Sequence, residues 1–189
     1  MELFGFLYAK TNNIRNDEKE FTMQKKVFQL LVDNNPGVLS RISGLFSRRG
    51  YSIESITAGV TANYKVTCIT IVTVGDDVVL EQIEKQLAKL EDVRDIKELK
   101  PEESVYRELI LIKVKASAEQ RQGVLSVVDI FRAKVIDVAK ESLIIELTGN
   151  QAKIEAFLNL LEGYEILELA RTGIAGLGRG TENVVYVED

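Results

Sequence analysis

Histidine is absent from the chain, cysteine occurs once and proline twice. Without histidine there is no imidazole acid/base pair, no Ser-His-Asp triad and none of the usual zinc sites. Cys68 alone cannot form an internal disulfide or a multi-cysteine metal centre, which suits a reducing, cytoplasmic setting. It lies in the middle of a strand pattern with no base or helix end nearby to lower its pKa, so packing explains it better than nucleophilic chemistry. No run of charge or low complexity interrupts the 189 residues, and a net charge of -5 argues against broad attraction to nucleic acid or anionic lipid. The opening "MELFGFLYAK" has Glu2 where a signal peptide is basic, and its apolar run is too short to cross a bilayer. Small molecules and other proteins are the expected partners, with no nucleic acid and no membrane.

What is present is one pattern written twice. In "KKVFQLLVD" Phe28, Leu30 and Val32 alternate with Val27, Gln29 and Leu31, a strand. Asn35 is placed to cap the next helix and Pro36 to occupy its first turn. Val38, Leu39, Ile42, Leu45 and Phe46 then recur at helical spacing, and Gly50 supplies a left-handed stop. "YSIESITAGV" and "KVTCITIVTV" read as a hairpin. Asp76 or Asp77 starts a second helix with Val79, Ile83, Leu87 and Leu90 inward, and "VRDIKELK" is a closing strand. After Pro101 the order repeats: "YRELILIKVKA", a helix over Ser117 to Phe131, two strands in "VIDVAKESLIIELTG", a helix marked by Ile154, Phe157, Leu158 and Leu161, and "YEILELART". The letters "GVLS" recur at 37 to 40 and 123 to 126, each at the start of a unit's first helix.

Two βαββαβ units predict an α+β protein of two ferredoxin-like units, each with an antiparallel sheet and helices on one face. The expected division is an N-terminal extension over 1–22, a first unit over 23–100, a linker at 101–104, a second unit over 105–180 and a tail over 181–189. The third strand is apolar on both faces, so its outer side should be covered by another subunit or by the second unit.

Few motifs carry chemistry. Glu81, Glu84, Glu91 and Asp92 fall on a helix exterior or its end, a solvated face rather than a catalytic pair. "RTGIAGLGRG" lacks the spacing and following helix of a dinucleotide fingerprint and the Gly-Lys-Ser/Thr of a P-loop. It reads as a flexible tail, or as a segment that orders against a partner protein. The strands lack the aromatic pairs of RNA-recognition domains, which share this order. "DNNPGVL" remains. A strand ending at Asp33 and a helix starting near Pro36 aim backbone N–H groups near Gly37 and Val38 at a gap, a receptor for a carboxylate. Asn34 can accept from an ammonium and Asp33 can add charge. An amino acid presents both groups.

"DNNPGVLSRISGLFSRRGYSIESI", "VGDDVVLEQIEKQLAKLEDV", "IFRAKVIDV" and "ARTGIAGLGRG" together resemble the bacterial small regulatory subunit of acetolactate (acetohydroxyacid) synthase, over about Met23 to Gly180. The resemblance implies an ACT domain first, then a second ferredoxin-like domain, and a homodimer joining ACT sheets side by side. It implies a non-catalytic subunit of branched-chain amino acid biosynthesis that stimulates a large catalytic subunit and confers feedback inhibition by valine. Thiamine diphosphate, Mg2+ and FAD would belong to that large subunit, with no cofactor and no metal in this chain. Effector contacts would fall on Asn34, Gly37, Val38 and Leu39, completed across the dimer by Ser52 and Ile53. The family commonly has asparagine where this chain has Ser52. Arg41, Arg48 and Arg49, at or near the outward face of the first helix, are the candidates for contact with the large subunit. A stand-alone ACT-type amino-acid sensor serving another enzyme is the alternative.

Overall fold

The computed structural model describes residues 23–181. The expected extension at 1–22 and all but the first residue of the expected tail lie outside the described residues. The first unit runs β1 (Gln24–Asp33), α1 (Val38–Arg49), β2 (Ser52–Val60), β3 (Val66–Gly75), α2 (Asp77–Leu87) and β4 (Val93–Glu98). The second runs β5 (Ser104–Lys115), α3 (Arg121–Phe131), β6 (Lys134–Val138), β7 (Ser142–Gly149), α4 (Gln151–Leu160), β8 (Ile166–Arg171) and a further strand, β9 (Ala175–Gly178). The sheets have matching antiparallel orders, β2-β3-β1-β4 and β6-β7-β5-β8. Both are ferredoxin-like; β2 and β4 are the edge strands of the first sheet, and β6 and β8 those of the second.

Each unit buries its own core between helices and sheet. In the first, Phe28, Leu30 and Val32 of β1 meet Ile42, Leu45 and Phe46 of α1 and Leu80, Ile83 and Leu87 of α2. Val79 packs against this core as expected, and Leu80 beside it is fully buried; Asp76 caps the helix through the Val79 amide (2.7 Å). In the second, Ile110, Ile112 and Val114 meet Val124, Val128, Ile154 and Phe157. Phe157 lies edge-on to Phe131, ring centroids 5.3 Å apart.

Three local expectations are corrected. The helix expected from Ser117 begins at Arg121, after a turn in which the Ser117 amide donates to Gln120 Oε1 (3.2 Å). The "GVLS" echo is not positional: Gly37 precedes α1, whereas Gly123 is inside α3, where a Cβ would collide with the Tyr164 hydroxyl. Finally, "RTGIAGLGRG" is no free tail. Arg171 ends β8, residues 172–174 form a strap, and β9 pairs antiparallel with the first residues of β5, Ser104↔Gly178 to Arg107↔Ala175.

That strap and strand answer the question of the outer face. Val27 and Val72, on the side of the first sheet away from its helices, are covered by Leu99, Tyr106 and Ile174 of the same chain. Gln29 Nε2 donates to the carbonyl of Gly176 (2.8 Å). Cys68, on the same face, is half-buried, and burial pushes its thiol pKa up. That is the setting of a packed thiol rather than an activated one.

Candidate functional site

β1 ends at Asp33 and α1 begins at Val38, and the four residues between form the turn that is the candidate receptor. Asn35 does not cap α1. The N-cap position is Gly37, with φ 87, ψ -5 and no side-chain hydrogen bond. Those angles are those of the third residue of a type II turn with Pro36 second, closed by the Val38 amide on the Asn35 carbonyl (3.4 Å). The first helical bond runs from the Arg41 amide to the Gly37 carbonyl (2.9 Å), so the amides of Leu39 and Ser40 precede the ladder. They point out along the helix axis with its positive end. Leu39 is exposed and Val38 buried beneath it.

Asn34 is held in place. Its Nδ2 donates to the Tyr64 carbonyl (2.9 Å) and its Oδ1 accepts from Thr67 Oγ1 (3.0 Å). An amide oxygen has two lone pairs, so Oδ1 keeps capacity for an ammonium. Asp33 does not face the gap as expected: its carboxylate pairs with Arg94. Arg41, a candidate for contact with the large subunit, stands beside the turn at Gly37. Its Nε and Nη2 grip Asp92 (2.6 and 2.8 Å), and its Nη1 lies 3.0 Å from where a Cβ on Gly37 would be. The signal was there, since Arg41 is four residues after Gly37 and therefore one turn above it. Of the other two arginines, Arg49 donates to Gln86 Oε1 (3.1 Å), and Arg48 is exposed.

The hydrogen bond to Arg41 holds the Asp92 carboxyl below its ordinary value of 3.8. A depressed carboxylate contributes stability that is complete above the ordinary value and lost as pH falls through the lowered one. Asp92→Asn should therefore melt below wild type at neutral pH, and the two melting curves should converge as acid protonates Asp92. Parallel curves down to strongly acid pH would show that the pair adds nothing.

Ser52 and Ile53 do not join this receptor within one chain. Ser52 pairs with Val74 and Asp33 with Val66, eight residues apart on β3, roughly 27 Å at about 3.4 Å per residue. Ser52 is exposed and Ile53 half-buried. The far end of β2 is the one near the receptor: Val60 pairs with Thr67, the residue bonded to Asn34. Val60 and Ile56 are exposed along the open edge.

Among the described residues no group of three or more acidic or thiol side chains is arranged to hold a metal. No described helix is long and apolar enough to cross a membrane. A ferredoxin-like pair, with an open strand-turn-helix receptor beside a free sheet edge in the first unit, defines a two-unit protein of the ACT class. Residues 28–95 match a family model described as the AHAS small subunit-like ACT domain, and residues 107–180 match the small subunit of acetolactate synthase. The chain is 47% identical over 158 residues to a probable acetolactate synthase small subunit of Archaeoglobus fulgidus, covering 84% of this chain and 99% of that one. It is 49% identical over 155 residues to the acetolactate synthase small subunit of Mycobacterium bovis, covering 82% and 92%. A crystal structure of the Thermotoga maritima acetolactate synthase small subunit superposes with a TM-score of 0.77 at 42% identity, covering 84% and 99%. The chain belongs to the acetolactate synthase small-subunit family.

Proposed function

We propose that this chain is a non-catalytic regulatory subunit of branched-chain amino acid biosynthesis, acting in the cytoplasm. It stimulates a separate acetolactate synthase large subunit and makes that enzyme sensitive to valine. Thiamine diphosphate, Mg2+ and FAD belong, on this reading, to the large subunit. The observation that carries it is the receptor at the start of α1, open and adjacent to the free β2 edge, in a chain of this family.

The exposed β2 edge supports one way of closing the pocket. A two-fold docking of edge strands runs them antiparallel, so the beginning of one β2 meets the end of its partner. Ser52 and Ile53 of a second copy then arrive beside Val60, whose neighbour on β3, Thr67, bonds Asn34. Valine would place its carboxylate on the Leu39 and Ser40 amides and its ammonium toward Asn34 Oδ1. Its side chain would lie against Val38, Leu39 and the second copy's β2. Ser52 has less reach than asparagine, which tunes affinity rather than removing the site. Binding favours one arrangement of the pair, and that arrangement alters its support of the large subunit.

Arg41 adds a charge to the carboxylate end. Arg41→Ala should weaken valine binding about tenfold, the lower end of a charge-assisted hydrogen bond of roughly 1.5–3 kcal/mol. Calorimetry on the isolated chain measures it, and unchanged affinity would return Arg41 to a purely structural pairing with Asp92. The deciding experiment mixes the chain with the purified large subunit and follows acetolactate formation with and without valine. Stimulation reversed by valine is expected; neither stimulation nor valine sensitivity would overturn the reading.

A further inference from the structure

The strap at residues 172–174 belongs to both units at once. On the side of the second sheet, the Thr172 amide donates to the Leu109 carbonyl (3.1 Å), and its Oγ1 accepts from the Leu109 amide (3.1 Å). Just before it, Arg171 grips the buried carboxylate of Glu108 with two bonds, 2.8 and 2.7 Å. On the side of the first sheet, Thr57 Oγ1 of β2 donates to the Thr172 carbonyl (3.0 Å). Gly173, at φ 81, lies flat on β2: a Cβ there would meet Thr57 Oγ1 at 2.8 Å and Ser55 Cβ at 3.1 Å. Three residues therefore join the open edge strand of the first unit to the central strand of the second.

The surroundings leave room for that joint to move. Crevices of about 170 and 340 Å3 flank Ile174, and both are lined by Lys25, Glu108 and Gln151. β2 is itself irregular beside the strap, with a register shift between Ile53 and Ser55. Bulged strands bend and twist more readily than regular ones.

We propose that the Thr57–Thr172–Gly173 contact transmits the state of the β2 edge to the second unit. This rests on the effector reading for its use, but the mechanical link stands by itself. A docked second copy fixes the position of β2. Thr57 projects from that strand onto the Thr172 carbonyl, and Thr172 is double-bonded by hydrogen bonds to β5. Movement of β2 therefore has a short, polar, directional route to the second sheet. Spatial intermediacy alone does not make a coupling route, so the contact must be broken without disturbing either end.

Thr57→Val does so, removing the hydroxyl at constant shape. Thr57→Ser keeps the hydroxyl and serves as the rescue. Amide exchange on the free chain should speed at least threefold at Leu109 and Thr172 in Thr57→Val and return toward wild type in Thr57→Ser. In the holoenzyme, Thr57→Val should bind valine within threefold of wild type while saturating valine inhibits at least threefold less. Gly173→Ala, which pushes the same contact apart, should reproduce the loss. Unchanged exchange at Leu109 and Thr172 overturns the proposal. So does an inhibition depth equal to wild type, or a loss of valine binding in step with the loss of inhibition. Wild-type chain that binds no valine would sink the effector reading instead, leaving the exchange result to decide the link.

Discussion

Gly37→Asp should give a chain that still stimulates the large subunit but no longer responds to valine. The position is left-handed, φ 87, where aspartate is tolerated at a cost of about 1–2 kcal/mol. Against a typical stability of roughly 5–15 kcal/mol that leaves the unit folded. What changes is the charge at the receptor. The new carboxylate sits beside the amides that would hold the carboxylate of valine, and about 5 Å from it. At an effective dielectric of about 20, two like charges at that distance repel by roughly 3 kcal/mol, a loss of affinity of about a hundredfold. The added side chain also starts 3.0 Å from Arg41 Nη1 and so competes for the guanidinium that Asp92 now holds. Gly37→Ala shares the strain without the charge and should keep an intermediate response. Calorimetry gives the affinities, the coupled assay the stimulation. Wild-type inhibition in Gly37→Asp would remove the start of α1 from the effector site, whereas loss of stimulation together with circular dichroism would mark misfolding.

The open turn before α1 was legible in the sequence as a place, though not in its construction. Asn35 and Pro36 look like a cap and a first turn by residue type. The Pro-Gly pair, however, specifies a type II turn, which takes the chain around one residue later and leaves Gly37 as the helix boundary. Asp33 offered a charge whose partner, Arg94, comes from β4, 61 residues away, and no local pattern announces such a pair. Arg41 was visible on α1, but its role depends on Asp92, brought up by the turn before β4.

The cores were easier, because period-two and helical patterns act over short range. Phe28, Leu30, Ile42, Ile83, Ile154 and Phe157 all fall where the spacing puts them. β9 was missed for a physical reason: "AGLG" has little strand preference, and pairing with β5 imposes its conformation. Only the length of β5 hinted at it. Glu108 to Lys115 pair with β7, whereas Ser104 to Arg107 of the same strand pair with β9. Tertiary pairing, not local propensity, turned a glycine-rich tail into the joint between the units.

The buried cluster at that joint is small beside the cores on either side, and this sets the expected result for Phe157→Ala. Phe157 is fully buried in the second core and edge-on to Phe131, so its removal should cost about 3–5 kcal/mol, transfer and cavity together. For a unit of this size each kcal/mol shifts the melting temperature by about 4–8 °C, giving a fall of roughly 15 °C or more. The first core shares no residue with the second. Between them lie the small cluster of Val27, Val72, Leu99 and Ile174 and the bonds of Gln29 and Thr57 to the strap. Scanning calorimetry should therefore split into an early transition for the second unit and a later one, near wild type, for the first. One transition lowered as a whole would mean that the seam is as strong as the cores. In the window between the two transitions the receptor at Gly37 is intact, but Thr172 has lost its anchor on Leu109. Valine should still bind there to the first unit, and on the proposed Thr57–Thr172 route it should no longer inhibit, because the far end of the strap is no longer fixed to anything.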